Sequence, residues 1–163
     1  MRSSAYNPRV GVSLSEPMAL TIQRSHFEHM RQHAEQTYPQ ECCGVLVGFF
    51  DSDTRRTVER VVPCVNSSTE SRHTRYEISS VDLLRIQREA RFAGQQIVGF
   101  YHSHPDHPAH WSTTDIEQAH WSGCSYVIIS VERGKAGDTS SFLLMNEGQS
   151  YRFQDESIEF TGE

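Results

Sequence analysis

The chain has 163 residues, 36% of them hydrophobic and 22% charged, with 15 Lys+Arg against 21 Asp+Glu and a formal net charge of −6. This is the size of one globular domain, and the composition excludes a disordered or collagen-like chain. The acidic balance gives no overall attraction to nucleic acid phosphates, and no stretch reaches the ~18 apolar residues of a membrane helix.

Met1 to Pro17 is rich in Ser, Pro and Arg and lacks the apolar core of a secretory signal. Residues 1–19 therefore read as a loose leader, 20–155 as a single domain and 156–163 as a C-terminal strand or tail. Leu20, Phe27, Met30 and Ala34 recur at near-helical spacing, so a helix is expected from Leu20 to Tyr38, ended by Pro39. Cys42 to Phe50 is apolar enough for a central strand covered on both faces. A turn at 51–54 leads to a second strand over 55–65, which makes a hairpin. After a loop at 66–70, a short strand is expected at 73–78. Ser79 then caps a helix carrying Val81, Leu84, Ile86 and Ala90, which Gly94 closes. A strand from Gln96 to His104 follows, then a Pro-punctuated loop and a short helix from Ser112 to about His120. Strands are expected at 125–132 and 141–146, separated by a loop at 134–138, with a last strand over 151–160. The order implies an α/β (α+β) fold, a mixed central sheet flanked by helices.

Two residue types are skewed. Lys occurs once, at Lys135, and five of the nine histidines fall between His102 and His120. Four cysteines, at 42, 43, 64 and 124, include an adjacent pair but no C-x-x-C, so they signal neither a zinc ribbon nor a redox pair. Cys42 and Cys43 read as buried small hydrophobes beside Glu41. Without a secretory signal, a reducing cytoplasm is the expected compartment.

The chemistry concentrates in 100–115. Residues i and i+2 at a strand end share one face, so His102 and His104 can pinch a metal ion between two imidazoles. Pro105 leaves both at the C-terminal strand edge, where α/β sheets bind ligands. A catalytic zinc needs a third protein ligand and an open position for water. Asp115, eleven residues after His104 and one turn into the next helix, is the best candidate. Alone, an H-x-H is more often a polar edge pair, and Ser112-x-x-Asp115 is also a capping pattern. His107 and His110 compete as ligands but read as rim residues, and His120 as helix surface or core.

His102-Ser-His104-Pro105, six residues, then Ser112-Thr-Thr-Asp115 resembles the H-x-H-P-x6-S-x-x-D signature of the JAMM (MPN-plus) metallopeptidases. Pro39-Gln-Glu41-Cys-Cys43-Gly44 resembles that family's upstream P-x-E-x-C-G segment. The resemblance spans roughly 20–147 and implies a JAMM/MPN, cytidine-deaminase-like architecture of the small prokaryotic type. It implies one zinc ion on His102, His104 and Asp115, with water as fourth ligand. It also makes Glu41 the general acid/base and Ser112 the donor to the tetrahedral oxyanion. The substrate it implies is a ubiquitin-like sulfur-carrier protein, cut at an amide next to its C-terminal Gly-Gly. The tail is expected to thread along a strand edge. A non-catalytic scaffold of this fold and a DNA-repair-associated relative with the same metal motif are the alternatives. A nucleoside deaminase would need H-x-E and P-C-x-x-C, and neither occurs.

Overall fold

The computed structural model describes residues 17–162, so most of the expected leader lies outside the described residues. In chain order the elements are β1 (Ala19–Gln23), α1 (Arg24–Thr37), β2 (Cys43–Phe50), β3 (Arg55–Cys64), α2 (Ser80–Phe92), β4 (Gln96–Pro105), α3 (Thr113–Gln118), β5 (Ser125–Glu132), β6 (Lys135–Glu147) and β7 (Ser150–Thr161). The mixed sheet is closed, in the order β1-β3-β2-β4-β5-β6-β7, with β7 returning parallel to β1. Each strand has two neighbours along part of its length, and β3 pairs with β1 only over residues 55–57, which leaves residues 58–64 paired with β2 alone.

Four local expectations are corrected. Residues 19–23 form a strand, because Leu20 and Ile22 alternate into the core while β3 and β7 supply backbone partners on both sides. Segment 73–78 forms no strand; its backbone bonds run instead to Asn66 and Ser67. The loop expected at 134–138 is mostly strand, since Lys135 and Ala136 already pair with Glu132 and Val131. Arg133 (φ 51°) and Gly134 (φ 85°) make the tight two-residue turn, for which two successive positive φ values suit the strand twist. The short helix α3 ends at Gln118, two residues early.

The strand period sorts side chains onto two faces. Cys42, Leu46, Tyr101, Val127 and Ile129 pack with Met30 and Ala34 of α1. Val45, Val47, Phe100, Ile128 and Phe142 pack with Ile86 and Ala90 of α2. Tyr101 lies against Gly44, where an added Cβ would fall 2.2 Å from the ring. Its hydroxyl is 2.8 Å from His33 Nδ1 on α1. The glycine of the upstream motif is therefore a packing requirement: it lets this large ring cross the neighbouring strand. His102 and His104 follow Phe100 on the α2 face, and Glu41 precedes Cys43 and Val45 on the paired strand. Cys43 is in register with His102.

Candidate metal centre

The mouth of the site is assembled from three places. Strand β4 carries His102 and His104 to its C-terminal end. The residues entering β2 carry Glu41, which is 2% exposed. The first turn of α3 carries Asp115. That helix is held by a capping box: Ser112 Oγ accepts from Asp115 N at 3.1 Å, and Ser112 N donates to Asp115 Oδ2 at 2.9 Å. The cap thereby fixes the carboxylate it aims at the strand. The capping reading of Ser112 and Asp115 is realised, and it leaves Asp115 facing the two histidines.

His102 Nε2 and His104 Nε2 stand 3.1 Å apart. Asp115 spans them, with Oδ1 3.2 Å from His102 Nε2 and Oδ2 3.1 Å from His104 Nε2. Glu41 Oε1 is farther out, 4.0 Å from His102 Nε2. Glu41, His102 and His104 offer ligand atoms within 4.8 Å of one another, so this group can hold a cation. The two shorter contacts of Asp115 make it a nearer neighbour of both imidazoles than Glu41 is.

Burial pushes the Glu41 carboxyl up to about 8, His104 pulls it down and Asp115 pushes it further up. Asp115 is also penalised by burial, but hydrogen bonds with His102 and His104 outweigh this and hold it well below the carboxylate range. Burial lowers His102 despite Asp115. At His104 burial acts the same way, yet Asp115 and the Pro108 carbonyl (2.9 Å from Nδ1) win and raise it. The four groups thus sit in a dry cleft with their proton affinities driven apart, a pattern of functional sites.

The other expected competitors stay away. His107 and His110 are exposed, His110 stacking on Trp111. His120 is exposed near Tyr151. Cys42 and Cys43 are buried, and burial raises both thiols, Cys42 to about 12. Cys43 Sγ faces the Cys64 carbonyl at 3.9 Å.

Two residues escaped the sequence reading, and Ser103, read only as pointing away from the histidines, makes a tie of its own. Ser103, on the opposite face from its histidine neighbours, accepts the Cys42 N–H at 2.8 Å and so ties β4 to the residue after Glu41. Tyr76 stacks on His102, with ring centroids 4.4 Å apart. Asn66 binds the Glu41 carbonyl at 3.1 Å. An H-x-H strand end implies some partner for the backbone at its inner residue; nothing in the sequence singles out Asn66 or Tyr76.

Residues 23–145 match the family of prokaryotic homologs of the JAB domain. The chain belongs to this family. It is a JAMM-type hydrolase by that membership. It is similar to the desampylase of Haloferax volcanii, 40% identical over 113 residues, which covers 69% of this chain and 78% of the relative. The CysO-cysteine peptidase of Mycobacterium tuberculosis is 31% identical over 127 residues, 78% of this chain and 84% of the relative. A solved structure from Desulfitobacterium hafniense is 31% identical, with a TM-score of 0.71, covering 87% of this chain and 94% of that one.

Proposed function

We propose that this JAB-family chain is a zinc-dependent peptidase or isopeptidase. It hydrolyses an amide next to the C-terminal Gly-Gly of a ubiquitin-like sulfur-carrier protein. The observation that carries the reading is the converging triangle of His102, His104 and Asp115, with Glu41 set one step further out. Tetrahedral zinc with bonds of about 2.0–2.1 Å separates its ligand atoms by roughly 3.3 Å. The 3.1 Å between His102 Nε2 and His104 Nε2 is close to one edge of such a tetrahedron, and Asp115 offers one oxygen within 3.1–3.2 Å of each imidazole. Two imidazole nitrogens and a carboxylate are also a donor set that suits zinc. His102, His104 and Asp115 would hold the ion, which supplies an acidified water and a Lewis acid when bound.

The chain's own residues do the remaining work. Glu41 Oε takes the proton of the attacking water and returns it to the leaving amine. A carboxyl whose proton affinity is raised by burial suits both halves of that transfer near neutral pH. The Ser112 hydroxyl accepts from Asp115 N and keeps its own proton free to donate to the oxyanion of the tetrahedral carbon. Glu41 and His102 are buried, and a low-dielectric setting strengthens these contacts.

The substrate class rests on the relatives. One is a desampylase and another a peptidase of CysO-cysteine. The carrier tail is expected along a strand edge that leads to the centre, and segment 68–78 flanks that approach. There a cavity of about 440 Å³, lined by Tyr76, Ile78, Leu83, Trp121 and Tyr126, adjoins the metal centre through Tyr76. Gly-Gly suits a narrow approach of this kind because neither residue carries a side chain. All four cysteines are free thiols, in keeping with a cytoplasmic setting. No described helix is long and apolar enough to cross a membrane.

The test is to incubate zinc-loaded protein with sulfur-carrier proteins extended beyond Gly-Gly and to follow the mass of the carrier. The expected product ends at Gly-Gly, and its appearance stops on chelation and returns with zinc. Uncut carriers, or cutting that survives chelation, would refute the reading.

A further inference from the structure

The two histidines of the centre are held in different ways. His104 has the usual support of a liganding imidazole, its Nδ1 lying 2.9 Å from the Pro108 carbonyl. Such an outer hydrogen bond fixes the tautomer and the ring orientation. His102 is 1% exposed, and its Nδ1 has no hydrogen-bond partner. Its ring is met instead by Tyr76, stacked at 4.4 Å with an interplanar angle of 22°. Offset stacking of this kind favours a definite ring plane.

Tyr76 lies in a segment that belongs to no helix or strand, so something other than a ladder must hold it. That something is the Asn66 carboxamide. Its Nδ2 donates to the Arg75 carbonyl at 2.9 Å and to the Glu41 carbonyl at 3.1 Å. Its Oδ1 accepts from Ser68 N at 3.1 Å and from Glu77 N at 3.2 Å. Both donors and both acceptor sites of the amide are used. One side chain therefore grips the residues on each side of Tyr76 and the backbone of Glu41.

We propose that Asn66 and Tyr76 form a strut that sets the plane of the His102 ring and the position of Glu41 relative to it. Both are positioning residues, acting through His102 and Glu41 rather than on the substrate. The inference rests on the zinc peptidase reading, and its test separates the two. Asn66 carries the strut because Asp or Ala there leaves the Glu41 and Arg75 carbonyls without their donor. Tyr76 carries it through its ring, so Phe should replace it and a branched aliphatic residue should not.

Zinc affinity is measured by competition with a chromogenic chelator, and the visible spectrum of the cobalt-substituted protein reports ligand geometry. Wild type, Tyr76→Phe, Tyr76→Leu, Tyr76→Ala and Asn66→Asp are compared, with thermal melting as a control for folding. Tyr76→Leu and Tyr76→Ala are expected to weaken zinc by about 10- to 100-fold and to shift the cobalt bands, while Tyr76→Phe keeps wild-type affinity and spectrum. Asn66→Asp should shift the cobalt bands and lower kcat with KM for the carrier little changed. If Tyr76→Ala fails to melt cooperatively, Tyr76→Leu decides. Unchanged affinity and spectrum in Tyr76→Leu and Asn66→Asp, in a wild type that binds zinc, overturn the strut and leave the peptidase reading standing. A wild type that binds no zinc overturns the peptidase reading itself.

Discussion

The molecule buries charge in two places, and they are built on opposite plans. Between β3 and β7, Arg56 (1% exposed) faces Glu156, with Nη1 3.7 Å from Oε2. The same guanidinium donates to the Gly123 carbonyl at 2.6 Å, and Ser141 Oγ donates to Glu156 Oε1 at 2.6 Å. That cluster brings its own counter-charge, although Arg56 Nη1 and Glu156 Oε2 make no hydrogen bond. At the candidate metal centre two imidazoles and two carboxylates converge with no lysine or arginine among them. The counter-charge within the chain comes from His104, whose proton affinity Asp115 raises. A buried ion pair brings both charges with it; a buried cluster of imidazoles and carboxylates can take up a cation.

Substitutions can break this contrast or sharpen it. The largest expected effect is Glu41→Gln, which should cut turnover by about 10²- to 10⁴-fold with zinc content kept, read by single-turnover mass analysis and elemental analysis. Next, Arg56→Met leaves Glu156 buried and unpaired and should cost about 3–5 kcal/mol of stability. Chemical denaturation should show the loss, and the double variant Arg56→Met/Glu156→Leu should recover most of it. Zinc content stays at wild-type level in both. Ser112→Ala removes the proposed oxyanion donor, for about 10²- to 10³-fold in kcat. Its lost cap should also lower stability by about 1 kcal/mol, and the two effects are separable by kinetics and melting.

A further expected effect is a pH slope. In the metal-free protein the Glu41 carboxyl holds its proton up to about 8, against an ordinary value of 4.5. Between those values the unfolded chain binds fewer protons than the folded one, so stability falls as pH rises. This contribution is present below about pH 4.5 and is lost as pH climbs toward 8. Glu41→Gln should remove it, so melting of metal-free wild type should drop more than that of Glu41→Gln between pH 5 and 8. Parallel curves would place the Glu41 carboxyl in ordinary solvent.

Much of the centre was legible because its parts lie in short motifs with strand or helix-start geometry. The period of two puts His102 and His104 on one face, and Asp115 was singled out by its distance after His104, with the Ser112 capping pattern as the competing reading. Glu41 was legible only through the family motif, since nothing local distinguishes it from a strand-edge carboxylate. Asn66, Tyr76 and the tie of Ser103 to Cys42 were invisible because the partners are distant in sequence: Asn66 meets Glu41 across 25 residues and Ser103 meets Cys42 across 61. The fold was misread where neighbours overrode local pattern. Leu20 fits the helical spacing of Phe27 and Met30, yet β3 and β7 draw 19–23 into the sheet. The polar, glycine-bearing start of β6 has weak strand propensity and is carried by the turn at Arg133 and Gly134. Barrel closure itself depends on a parallel pairing between the first and last strands, which no local signal encodes.

The most direct measurement is elemental analysis of purified protein alongside Asp115→Ala and Glu41→Gln. One zinc per chain is expected in the wild type and in Glu41→Gln, and none in Asp115→Ala. A wild type without stoichiometric zinc, or an Asp115→Ala protein that keeps it, would contradict a cation receptor built from His102, His104 and Asp115.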